Sequence, residues 1–470
     1  MPKLALLFLA LACPFAIVAA PATMPAPAPS ASVRHDAREI FATLIGIETS
    51  IGKGQVPKAA EYLAERFRRG GFAAADVHVV PLGESASLVV RYRGSGKGGR
   101  PIAFLAHLDV VTAKREDWQR DPYKLIEENG YFFGRGTSDI KSEVATLTET
   151  FLRLRAEGFV PSRDLIIAFS GDEETEQLTA SDLVEHHRDL VDAEFALNGD
   201  GGGGTLDETT GRPLSYNVQG AEKSSVTYLL TIRNPGGHSS RPRPDNAIYE
   251  LADALEAVRA YQFPLKWNAW TLEDFHASAT ATPGALGAAL GRFADHPGDV
   301  AAAAEISKDP GSVGLIRTTC VATMLQGGHA ENALPQSATA TVNCRIFPGT
   351  SALDVKETLQ RLAGPKVEIV MAHEPLLSDA SPMRADVMQA AKHAVAVAHP
   401  GAVVSGAMAA YATDGAVYRR GGIPTYGISG LFEKSSDEFS HGLNERIPVD
   451  MFYAALTHWY VLIHDLAGAR

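Results

Sequence analysis

The sequence predicts an α/β protein in which a mostly parallel sheet forms the main domain and a smaller ferredoxin-like domain is inserted into it. Two observations carry this prediction. From residue 36 onwards, short apolar strands alternate with amphipathic helices, which is typical of an α/β domain. Near residue 222 the order changes to β-α-β-β-α-β, that of a small open-faced sandwich, and after residue 372 the first pattern resumes. We therefore expect a main domain over residues 36–222 and 372–470 and an inserted domain over residues 223–371.

Composition and charge limit the classes of protein to which the chain can belong. Its 470 residues leave room for two or three domains and a large buried core. The chain has 43 Lys+Arg against 55 Asp+Glu, a formal net charge of -12, so nucleic acid is not an expected partner. Three cysteines are too few for a disulfide-stapled mini-fold or a thiolate zinc cluster. A metal ion in this protein would have to be held by His and carboxylate groups.

The N-terminus has the pattern of a secretion signal. Residues 4–20 carry no charge, follow Lys3 and are interrupted by a proline, and they are shorter than the roughly 20 apolar residues of a membrane span. The basic start, the apolar run and the small residues after it predict a signal peptide over residues 1–22, cleaved between residues 20 and 24. An uncleaved membrane anchor is the alternative. Residues 23–35, proline-rich at their start, are predicted to be a flexible linker. We expect an exported protein, periplasmic or secreted, with no membrane span.

The elements of the main domain follow from hydrophobic periodicity. Residues 102–108 form an almost continuous apolar run, as expected of a strand that is buried on both faces of a parallel sheet. Residues 164–170 have the same character. The predicted helices are 37–45, 57–70, 143–157 and 180–187, and the predicted strands are 76–80, 87–92, 102–108, 164–170 and 195–198.

The elements of the inserted domain follow in the order strand, helix, two strands, helix and strand. Residues 278–304, between the first helix and the second strand, are rich in Ala and Gly, and we interpret them as additional short helices. The predicted strands are 226–233, 317–325, 338–347 and 367–371, and the predicted helices are 246–261 and 352–363.

Two cysteines lie in neighbouring strands of the inserted domain. If strands 317–325 and 338–347 pair as a hairpin centred near Asn332, then Cys320 and Cys344 lie opposite each other. An oxidising compartment permits a disulfide between them. A cross-strand disulfide and two buried free thiols both remain open at this stage.

Imidazole and carboxylate groups that could bind a metal lie at the end of a buried strand and in a loop before a helix. His107 ends a buried strand, and because side chains two apart on a strand point the same way, Asp109 can contact its ring. A metal-binding His usually has such a carboxylate partner, although a hydrogen-bonded buried His is the plainer interpretation. Asp139 lies in a glycine-containing loop before a helix, where it could serve the turn or bridge two metals.

Three further groups complete the pattern. Asp172, Glu173 and Glu174 follow the buried strand 164–170, and ligands in open α/β sheets bind beyond the carboxyl ends of strands. One of these carboxylates can hold a metal while its neighbour stays free as a base. A further strand is followed by Asp200, and an imidazole lies near the C-terminus. Two His and three carboxylates form a nitrogen and oxygen ligand set that suits a pair of zinc ions. The five candidate ligands are His107, Asp139, Glu174, Asp200 and His441.

These motifs, in this order from about residue 36 to 465, resemble those of a known family. The family is that of the di-zinc metallohydrolases, which include acetylornithine deacetylase, succinyl-diaminopimelate desuccinylase, aminoacylase and carboxypeptidase G. The branch of carboxypeptidase S and the secreted N-acyl-amino-acid hydrolases is most similar, through residues 107–111, 316–319 and 340–345. The resemblance implies a di-zinc hydrolase as the main domain and a lid or dimerisation domain as the insert, and hence a possible homodimer.

The resemblance also implies how the ligands are shared. It implies two Zn²⁺ per chain, although Co²⁺ or Mn²⁺ could bind the same groups. His107 and Asp200 would hold one ion and Glu174 and His441 the other. Asp139 would bridge both ions. Many relatives carry Glu in place of Asp200, so the reach of this shorter side chain is a point for the structure to decide.

Three catalytic roles are implied in the same way. Glu173 would be the general base acting on a metal-bridging water, and Asp109 would orient His107. His238, in the inserted domain, would stabilise the oxyanion of the tetrahedral intermediate, often in the active site of the partner subunit. The resemblance further implies a cis peptide bond at Asp139–Ile140.

Four residues match positions that bind substrate in the family. Asn332 and Arg345 match contacts to a substrate carboxylate, and a planar guanidinium can donate two parallel hydrogen bonds to such a group. Pairing of Arg345 with a neighbouring acid is the structural alternative. Ser429 and Gly430 match positions at the rim of the site.

Together these features predict an exported zinc-dependent hydrolase that cleaves an amide or peptide bond next to a free carboxylate. Small peptides are the expected substrates, which makes the enzyme a carboxypeptidase or dipeptidase. An N-acyl-amino-acid amidohydrolase with the same machinery is the alternative. A related di-zinc aminopeptidase is disfavoured, because enzymes of that class lack the insertion that carries His238 and Arg345 in this chain. A non-catalytic binding protein is disfavoured because no expected metal ligand is missing.

Overall fold

The computed structural model describes residues 28–468, so the predicted signal peptide and the start of the predicted linker lie outside the described residues. The first helix begins at Ala31, within the segment predicted to be linker. Ser30 explains this difference, because its side chain caps the helix by accepting a hydrogen bond from the backbone N–H of Val33 at 3.3 Å. The first part of the main domain contains α1 (Ala31–Ile45), α2 (Val56–Arg69), β1 (Val77–Leu82), β2 (Ser85–Tyr92), β3 (Ile102–His107), β4 (Ile126–Glu128), β5 (Tyr131–Phe133), α3 (Lys141–Ala156), β6 (Leu165–Ser170), α4 (Leu178–His186), α5 (Arg188–Val191), β7 (Phe195–Asn198), β8 (Gly203–Leu206) and β9 (Pro213–Glu222).

The inserted segment forms its own antiparallel sheet of four strands in the spatial order β12-β14-β10-β15. Helices α6 and α10 cover one face of this sheet, and the order β10-α6-β12-β14-α10-β15 is the predicted β-α-β-β-α-β order. Its elements are β10 (Ser224–Arg233), β11 (Gly237–His238), α6 (Ala247–Ala260), α7 (Ala269–Ala281), α8 (Gly284–Asp295), α9 (Val300–Ile306), β12 (Thr319–Gly327), β13 (Ala333–Leu334), β14 (Ser337–Ile346), α10 (Ala352–Ala363) and β15 (Glu368–Met371).

Two details of the insert bear on the sequence analysis. Cys320 and Cys344 are direct partners across β12 and β14 and are joined by a disulfide, which decides the alternative left open above. The Ala-rich stretch does form short helices, but α7 packs on the large sheet. Trp270 is 1% exposed and lies against β9 at Gly220. By its packing this helix therefore belongs to the main domain.

The last part of the chain completes the large sheet, whose order is β1-β2-β6-β3-β7-β17-β9-β8-β18 with β16 paired to β9. Strands β6, β3, β7 and β17 are parallel to one another at its centre, and antiparallel pairs lie towards both ends. The remaining elements are α11 (Ala385–Ala398), β16 (Val403–Ala409), α12 (Gly415–Arg420), β17 (Thr425–Gly427), β18 (Phe432–Glu433), β19 (Arg446–Pro448) and α13 (Val449–Ala467).

Strand β3 lies between two hydrophobic cores. Phe104 packs into the core that contains α1, α3 and α13, whereas Leu105 packs into the core that contains α4 and α12. Burial on both faces explains the continuous apolar run in the sequence. None of the helices between residues 28 and 468 combines the length and apolar composition of a membrane span.

Candidate metal centre

The centre forms where three parallel strands end. Because β3 pairs in parallel with both β6 and β7, the loops that follow these strands meet at one edge of the sheet. His107 is the last residue of β3, Glu174 lies in the loop after β6, and Asp200 lies in the loop after β7. The structure thus brings together side chains that the sequence placed at successive strand ends.

The five candidate ligands form two groups that share one carboxylate. In the first group, His107 Nε2 lies 3.0 Å from Asp139 Oδ1 and 4.0 Å from Asp200 Oδ1. In the second, His441 Nε2 lies 3.1 Å from Asp139 Oδ2 and 2.9 Å from Glu174 Oε2. Within each group the potential donor atoms all lie within 4.8 Å of one another. Asp139 therefore offers one oxygen to each group, which is the geometry of a bridging ligand.

The electrostatics of the centre fit a pair of cations. Burial lowers the pKa of His107, but its hydrogen bonds to Asp109 and Asp139 raise it more, so that it lies well above its usual range. Hydrogen bonds to Asp139 and Glu174 raise the pKa of His441 to about 10. The neighbouring carboxylates thus favour a positive charge on both imidazoles. Glu174 Oε1 is buried without a hydrogen-bond partner among residues 28–468, and it is available to a metal ion.

The backbone of the centre has two special conformations. The peptide bond Asp139–Ile140 is cis, as the resemblance implied. His441 has φ 62, a left-handed conformation that is uncommon for residues other than glycine. A left-handed conformation at a histidine persists only where the surroundings hold it, and such residues occur often at functional sites.

Asp109 connects two of the loops that form the centre. Its Oδ1 lies 3.4 Å from His107 Nδ1, while its backbone carbonyl lies 3.1 Å from the same nitrogen. The same carboxylate accepts the backbone N–H of Glu173 on Oδ1 at 3.1 Å and that of Glu174 on Oδ2 at 3.0 Å. Asp109 is 4% exposed, so these contacts are shielded from water. It can therefore orient the imidazole and position the loop after β6.

Glu173 lines the same cavity as the ligands and has one fixed oxygen. Gln177 donates from Nε2 to Glu173 Oε1 at 2.9 Å, and no described residue donates to Oε2. Burial raises the pKa of Glu173 well above its usual range, with further contributions from neighbouring carboxylates that outweigh the effect of His107. Gln177 had no role in the sequence analysis; only its place four residues after Glu173 pointed to it.

A buried carboxylate that the sequence analysis left without a role supports the bridging loop. Glu445 is 0% exposed and accepts the backbone N–H groups of Ser138 at 2.7 Å and Asp139 at 3.0 Å on one oxygen. On its other oxygen it accepts the N–H of Gly136 at 3.0 Å and pairs with Arg135. Its presence in the same motif as His441 was the only sequence signal.

The predicted substrate residues Ser429 and Gly430 are held by another buried acid. Glu143 Oε1 accepts the Ser429 hydroxyl and the Gly430 N–H, both at 2.7 Å. Trp459 donates from Nε1 to the other carboxylate oxygen at 2.6 Å. Ser429 lines the cavity, whereas the N–H of Gly430 is already bound within the protein.

A cavity of about 470 Å³ opens over the ligands, and all of its lining residues belong to the main domain. The three predicted residues of the inserted domain do not line it. His238 is exposed and accepts a hydrogen bond from Ser240, and Asn332 is exposed on the neighbouring loop. Arg345 is half-buried and has no ion pair within the described part of the chain, so the alternative of a neighbouring acid is not observed.

Comparisons with known proteins identify the family of the chain. The model of Peptidase family M20/M25/M40 matches residues 103–465. The chain belongs to this family. It is therefore a metal-dependent hydrolase of the metallopeptidase and amidohydrolase type, as the resemblance of the motifs predicted.

Individual relatives cover most of the chain. It is 25% identical to the human N-fatty-acyl-amino acid synthase/hydrolase PM20D1 over 81% of this chain and 77% of that protein. It is also 25% identical to mouse aminoacylase-1, over 87% of this chain and 90% of that protein. In structure it resembles an M20 family metallo-carboxypeptidase from Sulfolobus solfataricus, with a TM-score of 0.69, 17% identity and coverage of 92% of this chain and 99% of the other. This last similarity concerns the fold alone.

Proposed function

We propose that this protein is an exported zinc-dependent hydrolase that cleaves an amide or peptide bond next to a free carboxylate. The observation that carries the proposal is the pair of ligand groups that share Asp139, with Glu173 beside them in one cavity. Small peptides are the proposed substrates, so the activity is that of a carboxypeptidase or dipeptidase.

His107, Asp139 and Asp200 would hold one ion, and Asp139, Glu174 and His441 the other. Metal ions held by these residues would supply Lewis acidity to the attacking water and to the scissile carbonyl. Glu173 Oε2 then accepts the proton from water and returns it to the leaving nitrogen. Gln177 keeps the other oxygen of Glu173 in place, so the accepting oxygen keeps its direction.

The inserted domain would supply the contacts to the carboxylate side of the substrate. Arg345 has a guanidinium without an ion pair among the described residues, which makes it available to a substrate carboxylate. We assign Asn332 to the same carboxylate, His238 to the oxyanion and the rim position of Ser429 to the substrate backbone. Gly430 would contribute to the rim of the site indirectly, because its backbone N–H donates to Glu143.

Two chains would form a homodimer through strand β12. This strand is an outer edge of the inserted sheet, and it carries the exposed apolar residues Val321, Met324 and Leu325. An exposed apolar edge is a template for pairing with another chain. Because His238 is exposed and does not line the cavity of its own chain, the dimer would bring it to the partner's cavity.

Mixing two inactive variants tests the shared site. Dimers that combine a Glu173→Gln subunit with a His238→Ala subunit have one complete site if His238 acts in the partner. Random exchange should then restore about a quarter of the wild-type activity, since half of the dimers are mixed and each has one working site. No recovered activity in verified mixed dimers would place both residues in one chain's site.

Export is supported by the apolar N-terminal segment and by the disulfide between Cys320 and Cys344, a bond that persists in oxidising compartments. The intact mass of the protein secreted by an expression host tests this part. Loss of residues 1–20 to 1–24 is expected, and an uncleaved chain held in the membrane would contradict it.

Metal content and hydrolysis test the main proposal. Purified protein should contain about two zinc ions per chain by mass spectrometry, the number that the two ligand groups would hold. It should hydrolyse a panel of dipeptides and lose that activity on chelation. Glu173→Gln should keep both ions and lose at least about a hundredfold in kcat, the contribution of a general base. Glu176→Gln, an exposed change in the same loop, is the matched control. A protein without metal or activity after zinc addition would refute the proposal.

Hydrolysis of N-acyl amino acids is a second candidate function, favoured by the 25% identity to PM20D1 and to aminoacylase-1. The same samples decide between the two substrate classes. Chelator-sensitive activity on N-acyl amino acids alone would select this alternative.

A further inference from the structure

The cavity lining outside the metal ligands bears on the substrate class. Under the proposed function, the carboxylate side of the substrate faces the inserted domain. The acyl side of the scissile bond must then lie in the main-domain cavity. One part of its lining, here called the distal end, is formed by Glu433, Lys434, Ser435 and Glu438.

One wall of this cavity is bare backbone. Gly201, Gly202, Gly203 and Gly204 all line it, so these four residues contribute no side chains to the wall. Gly202 has φ 69 and Gly203 has φ 101, which other residues rarely adopt. A Cβ on Gly202 would also lie 2.4 Å from the carbonyl oxygen of Asn217. This wall therefore offers an acyl group backbone atoms and no apolar side chain.

The distal end contains a carboxyl group that has no cationic partner among the described residues. Glu433 accepts a hydrogen bond from the Ser138 hydroxyl at 2.8 Å, and it forms no salt bridge with any residue from 28 to 468. Burial raises the pKa of Glu433 to about 8, and Glu445 and Glu438 add to the shift against the effect of Ser138. A positive group on the substrate would relieve this repulsion.

Two divalent ions would compensate the four carboxylates of the centre that line the cavity, but not the distal end. There, Glu433 and Glu438 face a single cation, Lys434. Apolar side chains are few in the cavity, with Ile140, Tyr411 and Leu431 the large ones. The lining is therefore suited to polar atoms and not to a long hydrocarbon chain.

We propose that Glu433 is a specificity-determining residue that selects acyl groups ending in a positively charged group over long apolar acyl groups. This inference rests on the proposed function, because it assigns the distal end to the acyl side of the same site. It distinguishes this chain from its N-fatty-acyl-amino acid hydrolase relatives by the chemistry of one cavity wall and one carboxylate.

Binding to the Glu173→Gln variant tests the inference without requiring turnover. The ligands are 6-aminohexanoyl-phenylalanine and heptanoyl-phenylalanine, which differ only in a terminal ammonium or methyl group. Zinc-loaded Glu173→Gln should bind the first about tenfold more tightly, the effect of one hydrogen bond between charged groups. The added change Glu433→Leu should abolish this preference, whereas Glu176→Gln should leave it intact. Equal binding of both ligands, or a preference that survives Glu433→Leu, would overturn the inference.

Two additions keep the outcomes separate. If Glu433→Leu does not fold, Glu433→Gln keeps an acceptor for Ser138 and removes the charge, and it should reduce the preference in the same direction. Hydrolysis of both compounds by the wild-type protein tests the proposed function independently. Binding with the expected preference but no hydrolysis would refute the proposed function and leave the selectivity of Glu433 in place.

Discussion

Replacing Glu445 by Gln tests how much Glu445 contributes to holding Asp139, the proposed bridging ligand, in place. The variant keeps the volume of the side chain but removes its charge and one of its two acceptor oxygens. Arg135, which is 3% exposed, then loses the carboxylate with which it is paired. One oxygen would still accept N–H groups, but the new NH₂ would point at donors, either the N–H groups of Ser138 and Asp139 or that of Gly136.

The magnitude follows from these contacts. Breaking a buried ion pair by removing one partner lowers the free energy of unfolding by about 3–5 kcal/mol, because a buried charge is left unpaired. Each backbone donor left without an acceptor adds about 1–3 kcal/mol. Since Asp139 is held by Glu445 through its N–H, zinc affinity should also fall by about 10–100-fold, the effect of losing a group that orients a ligand.

Urea unfolding of the chelated protein measures the stability change apart from metal binding, and competition with a zinc chelator measures the affinity. Glu176→Gln serves as the surface control. The double variant Arg135→Met with Glu445→Gln should recover part of the loss, because it removes the unpaired charge. A Glu445→Gln protein within about 0.5 kcal/mol of wild type, with unchanged zinc affinity, would refute the reasoning, since that is the effect of an ordinary surface change.

Three further predictions concern stability. Replacing Cys320 and Cys344 together by Ala should lower the free energy of unfolding by about 3.5 kcal/mol, the loop-closure value for a sequence separation of 24, and an unchanged urea midpoint without reductant would contradict it. Gly220→Ala would set a Cβ 1.8 Å from the ring of Trp270 and should lower the same quantity by about 1–3 kcal/mol, so a variant as stable as wild type would show that the ring moves freely. Burial lowers the pKa of His399 from 6.5 to about 4. The unfolded chain therefore takes up this proton first as the pH falls, and stability should drop by about 3 kcal/mol between pH 6.5 and 4; His399→Leu should flatten that part of the pH profile.

The sequence was sufficient to predict the parts of the centre that follow from strand geometry. His107, Glu174 and Asp200 come together because β3, β6 and β7 are adjacent and parallel, and each predicted strand ended within one residue of the observed one. The two-faced burial of these strands leaves a continuous apolar run, which is a local signal. Local signals of this kind can be interpreted without knowledge of the fold.

The residues that support the centre could not be predicted in the same way. Glu445 and Asp139 are separated by 306 positions, and Glu143 and Ser429 by 286. No periodicity connects such pairs, and the sequence alone does not distinguish a buried acidic residue from a solvent-exposed one. The position of α7 was missed for a similar reason, because one buried tryptophan, Trp270, determines on which sheet it packs. The start of α1 was a local matter: Ser30 is a helix cap, but the prolines before it favoured a linker.

The side chain of Asp200 is shorter than the Glu that the resemblance leads us to expect at this position. The question is whether its carboxylate can reach a metal ion that is also bound by His107. Two ligands that bind one tetrahedral zinc ion at about 2.0–2.1 Å lie about 3.4 Å apart. Asp200 Oδ1 is 4.0 Å from His107 Nε2, so it would have to approach by roughly 0.6 Å for that geometry. Asn198 already holds the backbone of Asp200 by accepting its N–H at 3.1 Å. We therefore expect the shorter side chain of Asp200 to reach the ion from the loop after β7.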